Sequence, residues 1–271
     1  MIFFRTDIGR LGNKMFIYAC AFANAQERGI NFCVNEPILF DFFKMGSYGK
    51  QKNFIFLKYF WWIIHKYFFK GNVDLTNCNI IHTNDKFIDN TITTGYFQSP
   101  IYFEQYKQQV AKLFVPRTHY IKKYLEISRK LNPKLSNMVI HIRRTDYHTH
   151  QPNDSSSIGC TVPLSYYQKI FSLEPIVQYN LIFISDDIAF CKTQFSYLDN
   201  AYFSESEQII DLQFMINAAV CVISNSTFSW WGAYLNTVKS KAYAPKYFLG
   251  IRDKKEYPIH IYPREWIQIE I

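Results

Sequence analysis

The sequence predicts an α/β fold, because three short apolar segments each end in a polar cluster and are each followed by a helical segment. These segments are Met138–Ile142, Asn180–Ile184 and Cys221–Ile223. The polar clusters after them begin at Arg143, Ser185 and Ser224. Open α/β sheets bind ligands at the carboxyl ends of their strands. We therefore expect a ligand site where these three strand ends converge.

The length of 271 residues suits one large domain or two of about half that size. A hydrophobic content of 48% with 19% charged residues excludes a disordered chain. A helical pattern ends at Asn132-Pro133, and a new run of alternating strands and helices starts directly after it. We therefore predict two halves, residues 1–133 and 134–271.

The net charge of +8 favours anionic partners such as nucleotide phosphates, nucleic acid or an acidic membrane surface. Nucleic-acid binding requires basic residues clustered along one element, and only Phe54–Lys70 approaches that pattern, with too few charges. We expect no nucleic-acid partner. The aromatic stretch Phe54–Phe69 predicts a basic amphipathic helix, which would be a membrane contact, an acceptor-binding wall or the core of an insertion.

The six cysteines have no CxxC spacing, which indicates reduced thiols in a cytoplasmic protein. The sequence shows neither a signal peptide nor an apolar run of about 18 residues that would span a membrane. His148 and His150 lie two residues apart without further ligands nearby, so we predict no metal site.

At the N-terminus, a strand over Met1–Arg5 is followed by the glycine-containing loop Asp7–Lys14 and a helix over Met15–Arg28. Glycines at such a turn let backbone N–H groups approach a phosphate or a sugar. An ordinary connection of an α/β protein is the alternative.

Arg143, Arg144 and Asp146 follow the strand at Met138–Ile142. Paired guanidinium groups beside an apolar strand need an anionic partner, and phosphate suits their geometry best. A surface cluster of ion pairs is the alternative.

Two further clusters add to the predicted site. Asp186 and Asp187 would contact a base or ribose, bind a metal, or cap the next helix. The hydroxyl and backbone groups of Ser224–Ser229 would cradle a phosphate at a helix start. We interpret Trp230 and Trp231 as packing residues.

Several motifs of this chain together match one family. They are GRLGNKMF at 9–16, TGYFQS at 94–99, HIRRTDY at 141–147, the pair Tyr166-Tyr167, FISDD at 183–187 and NSTFSWWGAYL at 225–235. The chain resembles the bacterial α-1,2-fucosyltransferases of glycosyltransferase family 11 over nearly its whole length. It departs from the family at Lys14, where Gln is typical, and at Thr145, where Gly is usual and related α-1,6-fucosyltransferases carry Thr.

The resemblance implies a GT-B-like fold of two Rossmann-like halves, with the nucleotide-sugar site in the cleft between them. The first half would bind the acceptor and the second GDP-fucose. It also implies an inverting transfer of L-fucose from GDP-β-L-fucose to the 2-hydroxyl of a terminal galactose, with no cofactor and no metal.

By resemblance, Arg143 and Arg144 neutralise the leaving diphosphate, with Arg143 at the β-phosphate, and Asp146 orients them or contacts the nucleotide. Three groups of residues would bind the donor: His141 with Asp186 or Asp187 at guanosine, Asn225, Ser226 and Thr227 at phosphate, and Phe228 lining the pocket. Gly12 and Asn13 would face the fucose from the other half. Asp7 and Glu104 are candidate general bases, and a reaction that needs no base is equally open.

The alternatives are a fucosyltransferase of another linkage and a non-catalytic carbohydrate- or nucleotide-binding protein of the same fold. The non-catalytic protein would have lost the arginine pair or the NST turn, and this sequence keeps both. We expect a galactose-terminated glycan acceptor on a lipid carrier, and a cytoplasmic protein in peripheral contact with the inner face of the membrane.

Overall fold

A computed structural model describes residues 2–5, 8–34, 36–45, 70–149, 159–238 and 240–271. The chain divides into two compact units. The first comprises Met1–Arg117 with Ile259–Ile261, and the second comprises Thr118–Pro258 with Tyr262–Ile271. The chain thus leaves the first unit after Arg117, earlier than the boundary at 133/134 that the sequence predicts.

In the first unit, four parallel strands form one sheet in the order β2-β1-β4-β3. The strands are β1 (Ile2–Phe4), β2 (Phe32–Val34), β3 (Gly71–Asp74) and β4 (Thr91–Thr94). The described helices are α1 (Leu11–Arg28), α2 (Pro37–Phe42) and α3 (Lys107–Leu113). The strand order reverses between β1 and β4, so the crevice outside their carboxyl ends is a topological switch point.

Helix α1 begins earlier than the sequence predicts, at Leu11 rather than Met15. Gly9 adopts the left-handed conformation, with φ of 74°, and turns the chain at the end of the preceding loop. Arg10 is then extended at the N-cap. Asn13 therefore lies in the first turn of α1 and not in the loop before it.

In the second unit, six parallel strands form one sheet in the order β7-β6-β5-β8-β9-β10. The strands are β5 (Ser136–Ile142), β6 (Tyr179–Ser185), β7 (Ala201–Phe203), β8 (Val220–Val222), β9 (Lys241–Pro245) and β10 (Ile267–Ile269). The described helices are α4 (Thr118–Ser128), α5 (Leu164–Leu173), α6 (Ile188–Phe195), α7 (Gln208–Ile216) and α8 (Thr227–Tyr234).

The central strands of this sheet are buried on both faces. Ile140 lies opposite Phe183 of β6 and Val222 of β8, and all three pack in one core with residues of α5 and α6. Val139 and Cys221 are directed to the opposite face and are also buried. Burial on both faces is typical of parallel sheets and explains the continuous apolar runs in the sequence.

Helix α8 packs directly on helix α7. A Cβ atom at Gly232 would lie 2.5 Å from Cβ of Met215, so only glycine permits this approach. Trp230 and Trp231 are fully buried beside it, and the Trp230 ring stacks on Tyr234 at 4.5 Å between centroids. The interpretation of the tandem tryptophans as packing residues is confirmed.

The division into units follows from two contacts. The Tyr124 ring of α4 packs edge-on against Phe214 of α7 at 5.0 Å between centroids, which makes α4 part of the second unit. The N–H of Ile259 donates to the carbonyl of Cys78 at 3.2 Å, which returns this short segment to the first unit. Neither contact can be predicted from the periodicity of the sequence.

The order of the second sheet is that of a doubly wound dinucleotide-binding sheet. Its first strand, β5, is central, with β6 and β7 on one side and β8, β9 and β10 on the other. The predicted α/β fold with two Rossmann-like halves is confirmed. In the second half, the switch point lies outside the carboxyl ends of β5 and β8.

Some predictions concern residues outside those that the structure describes, namely the aromatic helix at Phe54–Phe69 and the residues Asp7 and His150. Within the described ranges, no helix has both the length and the apolar character to cross a membrane. In the described part of the chain, Cys20, Cys160, Cys191 and Cys221 are free thiols.

Candidate functional site

The three polar clusters that the sequence predicts to converge lie at the carboxyl ends of β5, β6 and β8, which are neighbouring strands. His141 of β5 and Ser224, just after β8, are joined across the switch point by a hydrogen bond of 2.8 Å between Nδ1 and Oγ. The fold therefore gathers these clusters in one crevice of the second unit.

Arg143 is held by two carboxylates. Its Nε and Nη2 lie 2.9 and 2.7 Å from Oδ1 of Asp146, and its Nη1 lies 3.2 Å from Oδ2 of Asp186. The side chain is 13% exposed. Asp146 and Asp186 thus hold the guanidinium in place, and the orienting role of Asp146 in the reaction stays a prediction.

Arg144 has different partners. Its guanidinium carbon lies 3.5 Å above the Phe190 ring of α6, and its Nε lies 3.5 Å from Oδ2 of Asp187. That Nε is buried without a hydrogen-bond partner among the described residues. The side chain is 22% exposed, and its Nη1 and Nη2 make no hydrogen bond to the described residues, so these groups are available to an anion.

Asp186 organises the turn after β5, a role that the sequence did not reveal. It accepts the N–H groups of Arg144 at 3.0 Å and Thr145 at 3.1 Å, and also the Thr145 hydroxyl. Burial acts to raise the pKa of Asp186, but these hydrogen bonds and the charge of Arg143 outweigh it and hold the pKa below its ordinary value. The carboxylate therefore stays ionised.

Asp187 accepts the N–H of Phe190 at 3.1 Å and caps α6. This is the helix-capping alternative that the sequence left open. Both carboxylates thus have protein partners. The assignment of Asp186 or Asp187 to guanosine stays a prediction.

Asn225 is fully buried, although the resemblance assigns it to the donor. Its Nδ2 donates to the main-chain carbonyls of Cys160 at 2.6 Å and Phe248 at 3.3 Å. The main-chain carbonyl of Asn225 accepts the Tyr147 hydroxyl at 3.0 Å. Asn225 thus ties three segments together at the rim of the crevice. The sequence offered no signal for this structural role.

The turn into α8 places Ser226 at the N-cap, and its side chain makes no capping hydrogen bond. Thr227 and Phe228 open the helix and are partly exposed. The N–H groups of a first helical turn lack intrahelical partners and attract anions. The predicted phosphate cradle therefore has a suitable geometry.

His141 is buried beside this turn, and its ring centroid lies 5.7 Å from that of Phe228. Burial lowers the pKa of His141 to about 4, although the charge of Asp186 opposes this effect. The ring is therefore neutral near pH 7. A neutral imidazole suits hydrogen bonding to an uncharged group better than binding to a phosphate.

In the first unit, Gly12 is buried and Asn13 is partly exposed in the first turn of α1. Oδ1 of Asn13 accepts a hydrogen bond of 2.9 Å from Nε2 of Gln98, in the segment after β4. Glu104, a candidate base, is exposed at the start of a 3₁₀ turn.

Cations and helical N–H groups at a switch point can bind the diphosphate of a nucleotide. No group of three or more His, Cys, Asp or Glu side chains that could hold a metal ion occurs in the part of the chain that the structure describes. The expectation that no metal is required stays a prediction.

Comparison with known proteins gives two relatives from Escherichia coli. The chain is 32% identical over 172 residues to the O-antigen biosynthesis glycosyltransferase WbnK, an alignment that covers 59% of this chain and just over half, 56%, of that protein. It is 27% identical over 252 residues to an alpha-1,2-colitosyltransferase, with coverage of 84% and 85%.

The structure is similar to that of the fucosyltransferase NodZ from Bradyrhizobium. For the NodZ alpha-1,6-fucosyltransferase soaked with GDP-fucose, the TM-score is 0.54 at 11% identity, over 86% of this chain and 92% of that chain. At this identity the likeness concerns the fold alone, and it confirms the GT-B-like type. The model of Glycosyl transferase family 11 matches residues 3–270, and the chain therefore belongs to this family.

Proposed function

We propose that this glycosyltransferase transfers L-fucose from GDP-β-L-fucose, with inversion, to the 2-hydroxyl of a terminal galactose in a surface glycan. The observation that carries the proposal is the Arg143–Arg144 pair at the switch point of the second sheet. The relatives support it, since one is named for O-antigen biosynthesis and the other for an alpha-1,2 transfer. The NodZ crystal soaked with GDP-fucose supports the donor.

In this proposal, the bond between fucose C1 and the diphosphate oxygen breaks, and the diphosphate leaves with the electron pair. Arg143 and Arg144 stabilise the negative charge that develops on the leaving oxygen. The N–H and hydroxyl groups of Ser226 and Thr227 donate to phosphate. These donors are fixed before the reaction, so little reorganisation is needed as the charge develops.

The neutral His141 and the Phe228 ring would contact guanosine, and Asp186 or Asp187 would complete this contact. The galactose 2-hydroxyl attacks C1 from the opposite side and loses its proton. Glu104 and Asp7 remain the candidate bases, and a dissociative reaction would release the proton to water. Gly12 and Asn13 are assigned to the sugar.

The second candidate function is transfer of colitose. It is favoured by the alpha-1,2-colitosyltransferase, whose alignment covers 84% of this chain, more than that of WbnK. A fucosyltransferase of another linkage, or a non-catalytic protein that binds a GDP-sugar or a carbohydrate, would share the same crevice. The intact arginine pair favours catalysis over simple binding.

We also propose that the acceptor is assembled on a lipid carrier and that the protein works in the cytoplasm, in peripheral contact with the inner face of the membrane. The net charge of +8 supports contact with an anionic surface.

The test is an assay of transfer to a panel of β-galactosides in the presence of EDTA, from GDP-fucose, nucleotide-activated colitose, GDP-mannose and UDP-galactose. We expect fucose on the galactose 2-hydroxyl, identified by NMR of the product. Transfer of colitose alone would establish the second candidate. Tight GDP binding by calorimetry without transfer would keep the donor site and reject the acceptor, and absence of both would reject the proposal.

A further inference from the structure

A residue to which the proposed reaction gives no role lies at the switch point of the first sheet. Gln98 follows β4, is 8% exposed, and donates from Nε2 to Oδ1 of Asn13 at 2.9 Å. The two residues are 85 positions apart in the chain, and the adjacency of β1 and β4 brings their segments together. Gln98 is therefore a buried amide at the switch point of the first sheet, next to the residue that the proposal assigns to the sugar.

The backbone on both sides of Gln98 is held firmly. Phe97 is buried in the left-handed conformation, with φ of 51°, and its ring packs edge-on against Phe4 at 5.7 Å between centroids. A Cβ at Gly95 would lie 2.6 Å from that ring. The Ser99 hydroxyl donates to the carbonyl of His260 at 2.7 Å. A strained residue persists only where its surroundings determine it, so the position of Gln98 is set by these neighbours.

Asn13 is confined from the other side. A Cβ at Gly9 would lie 2.2 Å from Nδ2 of Asn13, so the amide packs against a backbone that only glycine allows. Since Oδ1 accepts from Gln98, Nδ2 is the group of the Asn13 amide that is left to donate to another partner. Nδ2 makes no hydrogen bond to any of the residues that the structure describes. Among the described residues, Nδ2 is thus a donor that has no acceptor.

The next residue of α1 is anchored as well. Lys14 forms an ion pair of 2.6 Å with Glu36, which is buried at the N-cap of α2. The first turn of α1 is thus tied to the segments after β2 and β4 through consecutive side chains. Such a frame limits the movement of Asn13.

We infer that Gln98 is a positioning residue, which holds the side-chain amide of Asn13 so that Nδ2 donates to an oxygen of the sugar substrate. The inference rests on the proposed function, which assigns Asn13 to the sugar. Gln98 acts through Asn13 and does not itself contact the substrate.

The test compares Gln98→Ala and Gln98→Glu with the wild type. A carboxylate only accepts hydrogen bonds, so in Gln98→Glu the Asn13 amide turns over and presents Oδ1 to the substrate. We expect kcat to fall by up to about 100-fold in both variants, because a misplaced group loses its effect on the transition state. The Kd for GDP stays unchanged. Gln105→Ala is the matched control, since Gln105 is an exposed glutamine of the same unit that donates to Glu27.

A double-mutant cycle separates positioning from a general structural effect. In an Asn13→Ala background, Gln98→Ala is expected to cause no further fall in kcat. A second fall of the same size would overturn the inference, because Gln98 would then act independently of Asn13. An unchanged kcat in Gln98→Glu would overturn it as well.

The side-chain amide resonance of Asn13, assigned by its loss in Asn13→Asp, gives a readout that does not require turnover. We expect Gln98→Ala to shift this resonance and to speed its exchange with water, and Gln105→Ala to leave it unchanged. If the wild type transfers no sugar from any donor, the proposed function fails and this resonance decides the inference. An unshifted resonance overturns it, and a shifted one retains the positioning of Asn13 by Gln98.

Discussion

At the residue scale, the two adjacent arginines after β5 differ in how they are held. The Arg143 guanidinium lies between the carboxylates of Asp146 and Asp186, whereas Arg144 stacks on Phe190 and has one carboxylate at a longer distance. A phosphate that binds Arg143 must share it with Asp146, while Nη1 and Nη2 of Arg144 make no hydrogen bond to the described residues. The pair therefore combines a fixed cation with a more available one.

The first prediction concerns Arg143→Ala. We expect kcat to fall by about two or more orders of magnitude, because a preorganised donor to the leaving diphosphate is lost. Steady-state kinetics with GDP-fucose measures this effect. Arg129→Ala, at an exposed arginine of the second unit, is the control and should leave kcat unchanged. Near-normal turnover in Arg143→Ala would assign charge stabilisation to Arg144 alone.

Asp211 is a buried carboxyl group on α7, and its Oδ1 accepts the Ser204 hydroxyl at 2.5 Å. Burial raises the pKa of Asp211 from 3.8 to about 7 in spite of this hydrogen bond. Between these two values the folded protein keeps a proton that the unfolded chain has released. The free energy of unfolding therefore falls as the pH rises through this interval.

The second prediction is that Asp211→Asn removes this fall, because an amide keeps the hydrogen bond and carries no charge. We expect a gain in the free energy of unfolding of up to about 4 kcal/mol near pH 8, and little gain near pH 4. Urea denaturation across the pH range measures it, with the exposed Asp199→Asn as the control. A pH dependence equal to that of the wild type would mean that the carboxyl group is hydrated in the folded state.

At the element scale, the turn from β8 into α8 is held in place by several hydrogen bonds. The Ser229 hydroxyl lies 3.3 Å from the carbonyl of Ser224 and 3.1 Å from that of Ser226. The side-chain amide of Asn225 donates to two further carbonyls, those of Cys160 and Phe248. These contacts fix the backbone without using the hydroxyl of Ser226 as a helix cap. The turn is therefore rigid while its first N–H groups stay available.

The third prediction concerns Asn225→Ala. We expect a loss of about 2 kcal/mol in the free energy of unfolding, because the buried carbonyls of Cys160 and Phe248 lose their donor. The affinity for GDP should fall as well, since these segments border the crevice. Denaturation and calorimetry measure the two effects. Asn72→Ala, at an exposed position of β3, is the control, and an equal response of both variants would contradict the anchoring role.

At the scale of the whole molecule, each unit carries a parallel sheet, and each sheet presents its polar side chains at its own switch point. In the first unit these are Asn13 and Gln98, and in the second they are Arg143 and Arg144 with the turn at Ser226. Both clusters follow from the same topological rule. In the proposed reaction, the cluster of the first unit is assigned to the sugar and that of the second unit to the nucleotide.

The fourth prediction is that EDTA leaves sugar transfer unchanged. The carboxylates after β6 are already engaged, since Asp186 accepts backbone N–H groups and contacts Arg143, and Asp187 caps α6. Arginine side chains would then supply the positive charge that a metal would otherwise provide. Turnover is measured with and without EDTA. Loss of activity that Mn²⁺ restores would instead make Asp186 and Asp187 metal ligands.

The local pattern of the sequence was sufficient to locate the strands and the polar groups at their ends. The change from apolar to polar residues at Arg143, Asp186 and Asn225 is a local property of the chain, and parallel strands bring such ends to one edge. The matching motifs then indicated the family, which the comparison confirmed. The start of α1 and the end of the first unit were misplaced, because a left-handed glycine and the docking of α4 are not periodic signals.

The sequence by itself determined the fold class, the family and the edge of the sheet at which the polar clusters lie. Only the tertiary structure decided which of the polar side chains at these strand ends are engaged with other protein groups. Asp186 contacts the backbone of Arg144, 42 positions away, and Gln98 reaches Asn13 over 85 positions. Such pairs depend on the order of the strands in the sheet, and this order is set by the packing of the whole core and not by any local stretch of residues.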